Sequence, residues 1–189
     1  MVDYSSLDVI PIGEFEFAWR ITDPKWSSLP QETLKRIKAL SDARGKQIFE
    51  KSPLFGRRNL PFDAGRYHAI AQSSLEENGG PNGDRLKRWF RRLPNANDVE
   101  CYLCWHVGEG IAAVTDWATF TEVWQDLWYP FDRLCVFDET LDWALLLGPE
   151  EYAVFIERGP VNPHLPSSDP AYGLPLVQTG CTQPGAIEC

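Results

Sequence analysis

Three short apolar segments late in the chain constrain the fold most strongly. They occupy residues 133–137, 142–147 and 152–157, and each is rich in aliphatic and aromatic side chains. The residues between them, Asp138-Glu139-Thr140 and Gly148-Pro149-Glu150, have the composition of turns. Short apolar segments separated by turn residues are typical of strands joined as hairpins. We therefore expect an antiparallel meander in this part of the chain.

The rest of the chain predicts helices and further strands. Partial alternation of Phe15, Phe17 and Trp19 predicts a strand over 12–21. The capping sequence Ser28-Leu29-Pro30-Gln31 predicts a helix that runs to about Lys51. Further helices are expected over 66–77, 84–93 and 119–128, and further strands over 99–107 and 111–115. Helices early and hairpins late indicate an α+β fold, with an antiparallel sheet of about five to six strands and helices packed on one face.

The last 31 residues differ in composition from the rest. Residues 159–189 contain six prolines and four glycines, few charges and no helix or strand pattern. Such a composition predicts an extended proline-rich tail. We therefore expect one α+β domain over 1–158, with a helix-rich first half and a hairpin-rich acidic second half, followed by a tail over 159–189.

Charge is distributed unevenly along the chain. Residues 1–97 carry 16 Lys and Arg against 12 Asp and Glu, whereas residues 98–157 carry one Arg against 13 acidic residues. An acidic surface repels nucleic acid and anionic lipid, and it attracts basic proteins. The five cationic residues of 84–93 are expected to pair with this acidic surface, so neither nucleic acid nor a membrane is predicted as a partner. A well-solvated acidic surface that only maintains solubility is the alternative.

The chain carries no recognisable targeting or spanning segment. Residues 1–12 lack a basic and an apolar signal region, and no run approaches the roughly 18 apolar residues of a membrane helix. Five cysteines, an odd number in a chain of 189 residues, favour free thiols in a reducing compartment. A cytoplasmic location is therefore expected.

Cys101, Cys104 and His106 form the sequence's most metal-like cluster. Two-residue spacing suits zinc when a tight turn directs both thiolates at one ion. This spacing falls inside a predicted strand, where Cys101 and Cys104 should face opposite sides, and no second Cys pair completes four ligands. We therefore predict that no metal binds, and that the cysteines pack as small hydrophobic residues.

No motif in the chain specifies a reaction. Nucleotide-binding loops, metalloprotease helices and nucleophile elbows are absent, and nothing places His68, His106 or His164 beside a nucleophile. Carboxylate pairs such as Asp138 with Asp142 are expected by coincidence among 27 acidic residues. We therefore predict a protein that is not an enzyme and has no cofactor.

Residues 119–157, TFTEVWQDLWYPFDRLCVFDETLDWALLLGPEEYAVFIE, resemble the C-terminal part of immunity proteins. These accompany contact-dependent or type VI-delivered polymorphic toxins of bacteria. The shared features are a short helix ending in Tyr-Pro, a strand, an Asp…Trp turn and strand, and a Glu-Tyr pair before the last strand. The resemblance implies a cytoplasmic, acidic, non-enzymatic protein that neutralises a cognate toxin. It implies no particular site residue.

The two predicted hairpin turns are the expected binding site for a partner protein. Loops at strand ends can contact a partner without disturbing the core, and aromatic side chains beside carboxylates are typical of binding hot spots. The residues predicted to contact a basic toxin domain are Asp138, Glu139, Asp142, Trp143, Glu150 and Glu151. Two alternatives stay open: an enzyme with an unrecognised carboxylate or Cys/His site, and a scaffold or assembly protein.

Overall fold

A computed structural model describes residues 8–52, 62, 65–74, 83–93, 97–106, 110–129, 132–148 and 152–159. After a short 3-10 turn at Ile12–Glu14, the elements follow in this order: α1 (Ala18–Thr22), α2 (Gln31–Leu34), β1 (Lys38–Ala39), α3 (Asp42–Lys51), β2 (Tyr67–Ser74), α4 (Gly83–Phe90), β3 (Glu100–Trp105), β4 (Ala112–Asp116), α5 (Trp117–Leu127), β5 (Leu134–Phe137), β6 (Trp143–Leu147) and β7 (Tyr152–Arg158). The predicted tail lies outside the described residues.

The seven strands form one antiparallel sheet in the order β1-β4-β3-β5-β6-β7-β2. The predicted meander is β5-β6-β7, in which Phe137 pairs with Ala144 and Trp143 pairs with Glu157. The predicted α+β class is therefore confirmed. The sheet is wider than the sequence indicated because β1 and β2, from the first half of the chain, occupy its two edges.

Both faces of the sheet are buried. One face carries Leu103, Trp105 and Phe155 and packs against α1, α4 and α5, whose Ile21, Phe90 and Phe120 are at most 1% exposed. The other face carries a second cluster of apolar residues, including Tyr102, Cys104 and Leu146, and packs against Ile48 of α3. Most helices thus share one face, as predicted, and α3 covers the opposite one. This burial explains why the central strands are apolar without alternation.

Two predictions for the first 51 residues are wrong. Residues 12–21 form the 3-10 turn and α1, because the amide of Phe15 bonds the Ile12 carbonyl at 3.2 Å and the chain turns instead of extending. The single helix expected from Pro30 to Lys51 is interrupted by β1, which pairs with β4. Ser41 then caps α3, accepting a hydrogen bond from the Arg44 amide at 3.3 Å. A sheet edge and a new cap therefore divide one apolar stripe into two helices.

The helix expected over 66–77 is also wrong. Residues 67–74 are instead β2, which pairs with β7 from Tyr67 opposite Arg158 to Ser74 opposite Tyr152. Local propensity favours a helix for these residues. Pairing with the edge of the sheet satisfies their backbone hydrogen bonds and overrides that preference. The later predictions hold: α4, over Gly83–Phe90, overlaps the helix expected over 84–93, and β3 and β4 lie where expected. Helix α5 begins earlier than its predicted cap because the Asp116 carboxylate accepts from the Thr119 amide at 2.8 Å.

Candidate functional site

Seven carboxylates gather at one end of the sheet, where several strands begin or end. Glu100 opens β3 directly opposite Asp116, the last residue of β4. Phe137 pairs with Tyr102, so Asp138 and Glu139 leave β5 at this same end. Asp142 precedes β6, and its carbonyl accepts from the amide of Arg158 at 2.7 Å, next to Glu157. We call this set the acidic end; it comprises Asp98, Glu100, Asp116, Asp138, Glu139, Asp142 and Glu157.

The turn between β5 and β6 displays two of the predicted contact residues and uses a third to hold its shape. Oδ1 of Asp138 accepts from the amides of Thr140 and Leu141, each at 3.1 Å, so this side chain stabilises the turn. The backbone of Leu141 has a φ of 57°, which is uncommon for a residue other than glycine, and these hydrogen bonds stabilise it. Glu139 and Asp142 are exposed on the same turn. They are the acidic side chains best placed to contact a partner.

The acidic end is only partly neutralised within the described residues. Arg36 donates to Asp116 at 2.8 Å, and Arg158 lies 3.3 Å from Asp142. Glu100 and Asp116 are direct cross-strand neighbours, an arrangement of like charges that is destabilising. The negative charge of Asp116 and Glu100 also affects the buried Cys101 thiol. Burial raises the pKa of this thiol well above the usual range, and the charges of Asp116 and Glu100 raise it further. The end of the sheet therefore carries uncompensated negative charge.

Trp143, predicted as an aromatic contact, is a core residue. Its side chain is 7% exposed, stacks on Phe155 with ring centroids 5.6 Å apart, and meets Trp117 edge to face at 5.4 Å. The alternation within β6 directs it into the helix-covered face, so it cannot anchor a partner without unpacking the core. The prediction for Trp143 is therefore wrong. Glu150 and Glu151 lie outside the described residues.

The exposed aromatic residues lie elsewhere, and the sequence did not reveal them. Trp19, Trp26 and Tyr129 are 38%, 52% and 38% exposed, and we call these three the aromatic patch. Trp19 falls within the strand that the sequence predicts over 12–21, and Trp26 follows the Asp-Pro pair at 23–24. The sequence signal that could have indicated an exposed Trp is the position of Trp26 beside the turn-forming Asp23-Pro24. A large apolar side chain in a surface turn is seldom close enough to the core to be buried in it.

The Cys/His cluster is enclosed between β3, β5 and the end of α3. Cys101 faces one side of the sheet and Cys104 the other, as predicted. Nε2 of His106 lies 3.9 Å from the Cys104 sulfur and 3.2 Å from Oγ of Ser52. Cys104 pairs across the strands with Cys135, and both are fully buried. Among the described residues, no group of three potential ligands is arranged to hold a metal ion.

Burial suppresses the chemistry of this cluster. It raises the pKa of the Cys104 thiol to about 12, and that of Cys135 well above its usual range. Burial, followed by the charge of Arg133, lowers the pKa of His106 to about 4. At neutral pH the cluster thus holds neutral thiols beside a neutral imidazole. A catalytic cysteine needs a thiolate and solvent access, and this arrangement provides neither.

The basic helix pairs within the molecule. Lys87 of α4 and Arg91, which directly follows that helix, contact the two carboxylate oxygens of Glu122 in α5 at 3.0 and 3.1 Å. The hydrogen bond from Lys87 is the largest cause of the lowered pKa of Glu122. A cavity of about 330 Å³ lies beside this pair, and its lining includes Arg36, whose charge is matched by Asp116. The ion pairs of α4 and of this cavity are thus internal.

Comparison with known proteins found no match: no family model, no curated protein and no solved structure is significantly similar to this chain.

In the described part of the chain, no helix is both long enough and apolar enough to span a membrane.

Proposed function

We propose that this chain is a non-enzymatic inhibitor that binds and neutralises a basic protein, in the manner of a cytoplasmic bacterial immunity protein bound to its cognate toxin domain. The observation that carries the proposal is the acidic end: seven carboxylates from five strands and their turns converge there, and Arg side chains neutralise two of them within the described residues. The resemblance of residues 119–157 to immunity proteins supplies the class of partner.

The acidic end costs the isolated protein stability. Like charges placed directly opposite each other, as in Glu100 and Asp116, oppose folding, and Oε1 of Glu100 is buried without a hydrogen-bond partner among the described residues. A basic partner converts this cost into binding free energy, because its Lys or Arg side chains supply the missing positive charge. Carboxylates presented in this way also occupy the position of phosphates, so a nucleic-acid-cleaving domain is the basic partner expected.

Glu139 and Asp142 are proposed as the central contacts of this surface. Both are exposed on a turn whose backbone is held by Asp138, so they are presented with little loss of conformational freedom. Asp138 contributes by holding the turn. Glu150 and Glu151, from the adjacent predicted turn, stay in the proposal on their sequence alone.

The test is co-purification followed by charge reversal. The full chain is used to capture partners from a lysate of its source cells, including the product of the adjacent gene, at low and high salt. Binding of the captured protein is then compared for the wild type, Glu139→Lys and Glu50→Lys. Glu50 is an exposed carboxylate on α3, outside the acidic end, and serves as the matched control.

We expect one basic protein, with affinity that falls as salt rises. Glu139→Lys should weaken binding at low salt by roughly 10-fold or more, about 1.4 kcal/mol, and Glu50→Lys should leave it nearly unchanged. Capture of no protein at either salt contradicts the proposal and favours the enzyme and scaffold alternatives. Equal weakening by both variants contradicts the site.

A further inference from the structure

Three of the four large apolar side chains that are exposed among the described residues lie together in the aromatic patch. The ring centroids of Trp19 and Trp26 are 5.3 Å apart at an interplanar angle of 68°. Those of Trp26 and Tyr129 are 6.5 Å apart at 81°. Edge-to-face packing places the ring faces at different angles, so the three rings do not form one flat surface. Scattered single apolar residues are ordinary on a surface, whereas a contiguous aromatic cluster indicates a binding site.

A buried ion pair and cation–π contacts lie beneath the aromatic patch. Arg20 forms a buried ion pair with Asp132, and its guanidinium lies 3.7 Å from the centroid of the Phe17 ring, with Trp19 and Tyr129 at 5.2 and 5.5 Å. This pair joins α1 to the segment that precedes β5. The amide of Asp132 donates to the Tyr129 carbonyl at 2.8 Å, which joins the backbone of the third aromatic residue to that of the ion pair. The aromatic side chains are therefore preorganised, which lowers the entropic cost of binding.

The chemistry of such a surface suits a proline-rich segment. Polyproline II helices have no internal hydrogen bonds and present flat pyrrolidine rings, and they dock on grooves lined by Trp and Tyr. The indole N–H groups of Trp19 and Trp26 are donors of the kind that bind the carbonyls of such a segment. The outer two ring centroids of the patch are at most about 12 Å apart. This length accommodates roughly four residues of polyproline II at about 3.1 Å per residue.

The chain itself contains a segment of this composition. Residues 160–189 include six prolines and two charged side chains, Asp169 and Glu188. The first prolines follow the spacing Pro160-x-x-Pro163-x-x-Pro166, which favours an extended, stiff spacer. Residues 167–176, SSDPAYGLPL, then combine two prolines with Tyr172 and two leucines. This second part has the apolar and aromatic content that the patch requires.

The distance is compatible with the length of the spacer. Gly159 follows β7 at the acidic end, where its amide bonds the Arg66 carbonyl. Tyr129 precedes β5, whose first residue, Leu134, pairs with Trp105 at the opposite end of β3. The path from Gly159 to Tyr129 runs about six residues along the strands and crosses two strand spacings, from β7 to β5. Its length is on the order of 25–30 Å. Eight to ten residues of polyproline II cover that path at about 3.1 Å each, which brings residues 167–169 to the edge of the patch.

We propose that residues 167–176 of the C-terminal tail dock on the aromatic patch of the same molecule, and that residues 160–166 act as the spacer. The proposal is independent of the proposed function because it concerns a different surface and requires no partner. Docking of the tail covers Trp19, Trp26 and Tyr129 and leaves the acidic end open.

The test is site-specific photocross-linking in the full chain. The photoreactive amino acid p-benzoylphenylalanine replaces Trp26, which is half exposed, and in a control protein it replaces Glu139 on the acidic end. Residues 159–189 contain no Lys or Arg, so trypsin cleaves after Arg158 and leaves them in one peptide. Mass spectrometry of a mixture of light and isotope-labelled protein separates links within one molecule from links between two. Fragmentation of the linked peptide locates the attachment residue.

We expect the probe at position 26 to link residues 167–176 of the same molecule, at several-fold higher yield than the probe at position 139. The double variant Pro170→Gly/Pro175→Gly should lower that yield several-fold, and Pro184→Gly should not change it. Mixed light and heavy products would overturn the proposal in favour of an interface between copies. Links to other parts of the chain, or no link to the tail, would overturn it outright.

Discussion

The buried ion pair beneath the aromatic patch offers the sharpest test of the structure. Arg20 and Asp132 have side chains that are 9% and 6% exposed, and they connect α1 with the segment before β5. Arg20→Met leaves the Asp132 carboxylate buried without its cation, and Asp132→Leu leaves the guanidinium without its anion. The double variant removes both charges and fills the site with apolar atoms.

The expected magnitudes follow from burial. Removing one partner of a buried pair costs about 3–5 kcal/mol, because the other charge stays in the interior uncompensated. Arg20→Met also loses the contact with the Phe17 ring, worth about 1–2 kcal/mol at a desolvated site. In the intact protein, Nε of Arg20 has no hydrogen-bond partner among the described residues, which limits the net value of the pair. We therefore expect the double variant to be less destabilised than either single variant.

The measurement is urea unfolding at pH 7, followed by circular dichroism, for the wild type, the two single variants and the double variant. Lys35→Met is the control, because the pair of Lys35 with Glu32 is 67% and 82% exposed and should contribute less than about 1 kcal/mol. Single variants that each lose less than about 1 kcal/mol would refute the burial argument. A double variant whose loss equals the sum of the single losses would refute the coupling between the two side chains.

Two further predictions concern the opposite face of the sheet. A Cβ on Gly45 would overlap the backbone carbonyl of Gly110, so Gly45→Ala should lower the free energy of unfolding by at least about 2 kcal/mol. Gly13→Ala, where a Cβ meets no neighbour within 4 Å, should change it by less than about 0.5 kcal/mol; equal effects would show that α3 is misplaced. His106 has a pKa of about 4 when folded and about 6.5 when unfolded, so the unfolded state binds more protons between these values. Stability should therefore fall by on the order of 3 kcal/mol as pH drops from 6.5 to 4, and urea unfolding of His106→Gln should lack this part of the decline; an unchanged pH profile would contradict the burial of His106.

Local signals were sufficient for the second half of the chain. The turn residues between 133 and 157 and the apolar segments that flank them act over a few residues, and β5, β6 and β7 lie where they predict. The opposite orientation of Cys101 and Cys104 also followed from sequence, because side chains alternate along any strand. These features depend on neighbours in the chain, which the sequence displays directly.

The first half depended on distant partners. Residues 67–74 became a strand because β7, whose paired residues are 78 to 91 positions away, offers an edge with unpaired backbone groups. Lys38 and Ala39 interrupt an apparent helix because they pair with β4. Propensity is worth tenths of a kcal/mol per residue, so a row of backbone hydrogen bonds overrides it.

The candidate surfaces divide in the same way. The sequence alone determined how much negative charge residues 98–157 carry and which carboxylates flank turns. Strand register decided that Glu100 and Asp116 face each other and that Trp143 enters the core. Packing of α1 and the turn after it against the segment that follows α5 brought Trp19, Trp26 and Tyr129 into one patch. The physical reason is that charge and local turn preference belong to single residues and their neighbours, whereas exposure and proximity arise only when segments far apart in the chain pack together.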